Sequence, residues 1–385
     1  MSKTKSFVMA AIVVAATIGE GVFALPYIIQ TAGWLLTLCY FVALIAAVSV
    51  AHVIYLRTLA VGYEKERLLG LAKRYFGGTG FVIGFVAIVV GMLLGFVAYL
   101  VLGAQFLGIL IPGISSAVAL SLFWLLLACL VWGSEGKIAG LEIVGVALIA
   151  CAIFFIFFSG RPDLAFVNMP LAVSHNFFLP FGAVLFSLAG WTSVEQIYEL
   201  MHRFGAEAKN NTPTHDIKNN DGGVAIFWMF VAGAAGATLL YWLFALGVIG
   251  SVPHVADDTI SGIGNWPAWR KDVLAIIGLA SVGVISMPLA REMRGAMEKD
   301  LKWNSFFSRA VIIFLPLAVV LAGFTNFLVI VSIAGGVFIS TQYLLIISVG
   351  RRTLALAPRE KVLLDVLAVV FIAAAVYEVV SFVVH

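Results

Sequence analysis

Eleven apolar stretches, each close to the length needed to cross a bilayer, dominate this chain of 385 residues. They run at roughly 6–31, 34–56, 79–111, 116–133, 138–159, 176–200, 222–250, 271–290, 308–324, 326–349 and 362–383. A helix needs about 20 apolar residues to span the hydrocarbon layer. Inside that layer every backbone N–H and C=O must be satisfied, which a helix does within its own length. The expected fold class is therefore an all-α membrane protein with eleven transmembrane helices. With 62% hydrophobic and 11% charged residues and a mean hydropathy of +1.09, no soluble core could hide so much apolar surface.

The basic residues fix an orientation. Lys and Arg collect on the cytoplasmic side of membrane proteins, and counting them in alternate loops puts 20 of the 23 on one side; Arg161, Arg270 and Lys271 hold the other. The N-terminus is expected in the cytoplasm and the C-terminus outside. The net charge of +3 thus marks topology; it does not form a clustered nucleic-acid surface. Cys39, Cys129 and Cys151 fall inside spans, where thiols act as small apolar fillers, so no disulfide or metal framework is implied. The six histidines are scattered, with no HExxH or comparable spacing, and no enzyme is expected. No obligate protein partner is evident; the expected partners are the bilayer and a small-molecule substrate.

Two spans carry helix breakers at mid-depth. In "TIGEGVFALPY" (17–27) Gly19, Glu20 and Gly21 stand together, with Pro26 about a turn further on. In "LPFGAVLFSLAGWTSVEQIYE" (179–199) Ser187, Leu188, Ala189, Gly190 and Trp191 precede Thr192 and Ser193, residues able to cap a restarted helix. Non-helical backbone at this depth survives only where it lines a buried cavity. Interrupted spans at matching places in two halves point to a transporter's substrate site. These are spans one and six, so the chain is expected to be two five-helix repeats, residues 1–160 and 161–350, with an eleventh helix in 351–385. Five is odd, so the second repeat enters the membrane inverted. An ionisable Glu20 at bilayer depth is a functional-site hypothesis by default; the alternative reading is a buried, protonated structural acid.

The stretch "TIGEGVFALPYIIQTAGW" (17–34) resembles the first-helix signature of the amino acid/auxin permease and aromatic amino acid permease families of the amino acid–polyamine–organocation superfamily. "RLLGLAKRYFGG" (67–78) resembles their cytoplasmic loop between helices two and three, "VAYLVLGAQFL" (97–107) their third helix and, more loosely, "VSIAGGVF" (331–338) their tenth. The resemblance implies a LeuT-type 5+5 inverted repeat and amino acid uptake by alternating access, coupled to protons or sodium ions with no other cofactor. A plasma (inner) membrane of a prokaryote is the expected location. It also implies that the amides of Gly19, Glu20, Gly21 and Val22 cradle a substrate carboxylate, while carbonyls near Ser187, Leu188 and Ala189 meet its ammonium group. Tyr99 is a further candidate contact, or a packing aromatic.

Sodium-coupled relatives set hydroxyl residues of helix eight against carbonyls corresponding to Ala15 and Ile18. Span eight offers Ser281 but no adjacent Thr/Ser pair, which favours protons carried by Glu20, with sodium coupling, a channel or a sensor as alternatives. Glu195 and Glu199 share a helix face and are candidate cytoplasmic gate residues, with Arg57 or Arg291 as partners. His52 and Glu378, near span ends, read as snorkelling side chains, and loop 251–269 as a lid with Trp266 and Trp269 suited to an interfacial belt.

Overall fold

The computed structural model describes residues 3–61, 67–133, 138–160, 165, 169–207, 220–263 and 266–384. Among them every regular element is helical. The first is α1 (Lys3–Thr17), followed by a 3-10 turn over Glu20–Phe23 and then α2 (Leu25–Ala32), which has Pro26 in its first turn. Proline fits there because the first-turn amides have no helical partner to lose. The two halves are bent by 59°. Gly33, at φ +102°, turns the chain into α3 (Trp34–Leu59), and segment 170–173 clasps this corner through Trp34 N–H to Pro170 O and Val173 N–H to Ala32 O.

α4 (Leu68–Phe85) and α5 (Gly91–Leu110) are joined by a π turn, Val86–Val90. α6 (Ser116–Trp132) is capped by Ser115, and α7 (Ile138–Ser159) follows. α8 (Leu179–Ser187) and α9 (Thr192–Glu207) flank the second break. Beyond them come α10 (Asn220–Ile249), the short α11 (Thr259–Gly262) and α12 (Ala268–Gly295), the last ending in a π turn, Ala296–Asp300. α13 (Ser305–Leu321) and α14 (Phe327–Ile333) start on Asn304 and Asn326 caps. A π turn over Ala334–Ile339 leads into α15 (Ser340–Thr353), and α16 (Pro358–Val384) closes the described chain.

By length and hydropathy six described helices can cross a bilayer, and the bent pair α1/α2 supplies a seventh; α6, the Val144–Ser159 part of α7, and α13 are apolar but shorter. α1 lies along α10, α3 packs between α10 and α15, and α12 wedges between α5 and α7. Outward faces stay apolar: Val362, Val366, Val369, Ile372, Val376 and Val383 form an exposed stripe on α16. A stripe that long, left uncovered in the monomer, belongs in lipid. This is an integral membrane protein.

Four sequence expectations need correction. The 67–78 stretch is no loop, because α4 begins at Leu68 and kinks at Gly77, whose φ of +62° favours glycine. His52 and Glu378 do not snorkel; both are buried, at 2% and 7% exposure. Trp266 is also buried, stacked on the Arg270 guanidinium 3.5 Å from its ring centre, and only Trp269 is exposed. The three cysteines sit on outward faces, so they fill no interior gap.

Candidate functional site

The two helix breaks touch. A Cβ built on Gly21 would collide with the Ser187 hydroxyl and lie 3.1 Å from Ser187 Cα, and one on Gly190 would lie 2.8 Å from Thr17 Oγ1. Gly21 and Gly190 are therefore glycine because a facing break occupies the space a side chain would need. Gly19 differs: its backbone is extended (φ −151°), and a Cβ there would meet nothing within 4 Å. The open side of the first break is the Gly19 side.

Tyr241 of α10 ties the breaks together. Its fully buried hydroxyl lies 2.6 Å from Thr17 O and 2.9 Å from Ser187 O, the last residues of α1 and α8. These carbonyls are the ones a helix end leaves without intrahelical donors. A hydroxyl has one proton, so it donates to one carbonyl at a time. Within the second break, Ser187 Oγ donates to Ala183 O (2.8 Å) and Ser193 Oγ to Gly190 O (2.6 Å). The Ser193 hydroxyl is thus a donor to the break. Trp191 Nε1 donates to Gln342 Oε1 (2.6 Å), and Gln342 Nε2 to Ala87 O (2.7 Å) in the first π turn. Tyr343, next to Gln342, has its hydroxyl 3.1 Å from His52 Nε2.

The loop after α10 is fastened to the first broken helix. Thr259 Oγ1 donates to Phe23 O (2.5 Å), Gln30 Nε2 donates to Pro253 O and Gln30 Oε1 accepts from Val255 N–H. Phe23 itself is held edge-on between Phe106 and Phe244.

A charged clamp joins α9 to three other elements. Arg67, the residue that starts α4, lies 2.8 Å from Glu292 of α12 and 3.4 Å from Glu195 of α9, and Tyr55 of α3 donates to Glu195 at 2.6 Å. The guanidinium crosses Gly295, where a Cβ would come within 2.7 Å of it. Burial opposes the Arg67 charge, but the Glu292 and Glu195 carboxylates more than reverse this and raise its pKa. The basic partner of Glu195 is Arg67, not Arg57 or Arg291; Arg57 pairs with Glu360 at 2.7 Å. Glu199 is exposed and outside the clamp.

The other sequence candidates are placed less centrally. The backbone of Glu20 opens the 3-10 turn, but its side chain lies outside the described residues. Val22 is buried beside the break, and its N–H bonds Gly19 O. Leu188 is buried and Ala189 half-buried in the second break. Tyr99 is buried edge-on to Phe96; from α5 it is Phe106, about two turns away, that reaches the break. Ser281 is buried with its hydroxyl turned back to Ile277 O, and α12 runs against α5 and α7 while α1 runs against α10. Ala15, Ile18 and Ser281 are not gathered into one hydrogen-bonded set among the described residues. A narrow apolar crevice, lined by Phe96, Trp124, Val131 and Pro316 among others, opens between α5, α6 and α13, away from the breaks. Tyr241 and Gln342 are absent from the sequence reading, and Thr17 enters it only as the first residue of the quoted motif; a polar tip on a mid-span aromatic, which must find a partner once buried, is the signal that could have found Tyr241.

No known protein family matches the chain, nor does any curated protein. Its fold is similar to crystal structures of the Eremococcus coleocola manganese transporter. The complex of that protein with an aromatic bis-isothiourea substituted compound aligns at a TM-score of 0.55 and 12% identity over 97% of this chain and 93% of that one. Two mutants of the same transporter align at 0.56 with equal identity and coverage. The chain thus shares, over nearly its whole length, the fold of a helical membrane transporter.

Proposed function

We propose that this protein is a secondary transporter that takes up an amino acid by alternating access, with residues 1–160 and 161–350 as inverted five-helix repeats and the helix in 351–385 as an eleventh span. The observation that carries the reading is the meeting of two broken helices, bridged by Tyr241. Broken helices expose backbone amides and carbonyls at membrane depth, where they can replace the water of a zwitterion. Amides at the start of the turn Glu20–Phe23, on the open side of Gly19, suit a carboxylate. Tyr241 already engages the Ser187 carbonyl, which leaves the Leu188 and Ala189 part of the second break for the ammonium group. The Arg67–Glu195–Glu292 clamp is the cytoplasmic gate, and the fastened loop 251–263 closes the opposite end. Coupling is to protons, with Glu20 at the break as a carrier.

The shared fold gives one competing substrate, a divalent metal ion. Among the described residues there is no group of three or more His, Cys, Asp or Glu able to hold such an ion. The test is thermal shift of the purified chain against a panel of L-amino acids and against Mn²⁺, followed by uptake into proteoliposomes under imposed pH or sodium gradients. An amino acid that stabilises the protein and accumulates with an inward proton gradient supports the proposal. Stabilisation and accumulation of Mn²⁺ alone, or solute that only equilibrates, would overturn it.

A further inference from the structure

Glu378 lies on α16, less than two turns from its end at Val384, and is buried against α8 and the turn Ala334–Ile339. Two glycines make room for it. A Cβ on Gly336 would run into the Glu378 side-chain carbons, and one on Gly182 would meet Glu378 Oε1 at 2.5 Å and Ser332 O at 2.6 Å. The Gly182 backbone, in the first turn of α8, thus passes directly beside the carboxyl. The group is therefore seated in a fitted slot between α8 and the turn Ala334–Ile339.

No cation answers it among the described residues. Leu179–Ser187, Phe327–Ile333 and Ala334–Ile339 contain no ionisable side chain. On α15, Tyr343 is stacked on Phe371, Arg351 pairs with Asp365 and Arg352 reaches the Tyr75 carbonyl. On α16, Tyr377 stacks on Phe178, and the charges from Arg359 to Asp365 stand at the opposite end. Tyr40 of α3 packs edge-on to Phe181. His385 lies outside the described residues. The helix-end dipole of α8 favours an anion, but by less than the cost of taking an unpaired charge out of water at membrane depth. The neutral acid carries no such cost.

We propose that Glu378 is a proton-binding site: the neutral carboxyl seats in the glycine slot and holds α8, the first half of the second broken helix, against the turn after α14. When the carboxyl gives its proton to water, the resulting carboxylate leaves the slot and α8 is released. The use of this movement in transport rests on the reading above; the proton site does not.

The test uses the full chain in liposomes, with no solute. Infrared difference spectra across a pH titration should contain a carboxylic-acid C=O band that disappears as pH rises and is missing in Glu378→Gln. Spin labels at Phe177→Cys, two residues before α8, and at Val383→Cys, with the three native cysteines replaced, should report a distance between the start of α8 and α16 that changes with pH, a change lost when Glu378→Gln is added. Gly336→Ala, which obstructs the slot while keeping the acid, should remove the distance change but not the band. An unaltered band in Glu378→Gln, or a distance that still follows pH in that variant, would overturn the proposal. If both signals appear as expected and no solute is taken up, the transport reading fails and the proton site stands.

Discussion

Gly19 and Gly21 flank the same residue, yet substitution by alanine should have opposite consequences. A methyl group at Gly21 enters the Ser187 hydroxyl and approaches Ser187 Cα to 3.1 Å, a backbone atom that a rotamer change cannot move. The two breaks must then separate, at an overpacking cost of about 1–3 kcal/mol. At Gly19 the methyl meets nothing within 4 Å, and φ of −151° is open to any residue; stability should stay within about 0.5 kcal/mol of the parent. The same methyl points into the space assigned to the substrate carboxylate, so uptake should weaken by about tenfold or more, the range for one added carbon in a fitted pocket. Equilibrium unfolding in detergent and uptake in proteoliposomes separate the two effects. A double-mutant cycle adds a control: Ser187→Gly removes the clashing hydroxyl and should recover part of the Gly21→Ala loss, with a coupling of about 0.5–3 kcal/mol. Full stability in Gly21→Ala, or strict additivity with Ser187→Gly, would refute the contact between the breaks.

Tyr241→Phe removes one donor and leaves a buried carbonyl at Thr17 or Ser187 unanswered, which should cost about 1–3 kcal/mol of stability; a loss below about 0.5 kcal/mol would mean that water serves these carbonyls. In the clamp, Arg67→Gln should destabilise more than Glu195→Gln, by about 1–3 kcal/mol, because it leaves Glu195 and Glu292 facing each other without a cation. The reverse order in parallel thermal melts would show that Tyr55, not Arg67, is the principal partner of Glu195.

That the chain is a bundle of apolar helices that cross a membrane was legible in the sequence because a bilayer makes backbone accounting local. Each helix satisfies its own N–H and C=O groups, so length and apolarity suffice to mark it. The breaks at 18–24 and 188–191 were legible for the same reason, since glycine, proline and a small-residue run at mid-depth mark where that local satisfaction fails. What faces what was not. Lipid-facing and core-facing residues are both apolar, so no amphipathic stripe tells which side of a helix turns inward. Thus the sequence could offer Glu195 as a candidate gate residue with Arg57 or Arg291 as its partner, where the packing of α4, α9 and α12 brings Arg67. It could place Gly21 and Ser187 in two breaks, but only the packed helices press one against the other and set Tyr241 across them. Glu378 read as a side chain near an aqueous boundary because its slot is made of Gly182 and Gly336, residues far away in the chain. Helix rotation and tilt, decided by close packing between small residues, turned that acid inward.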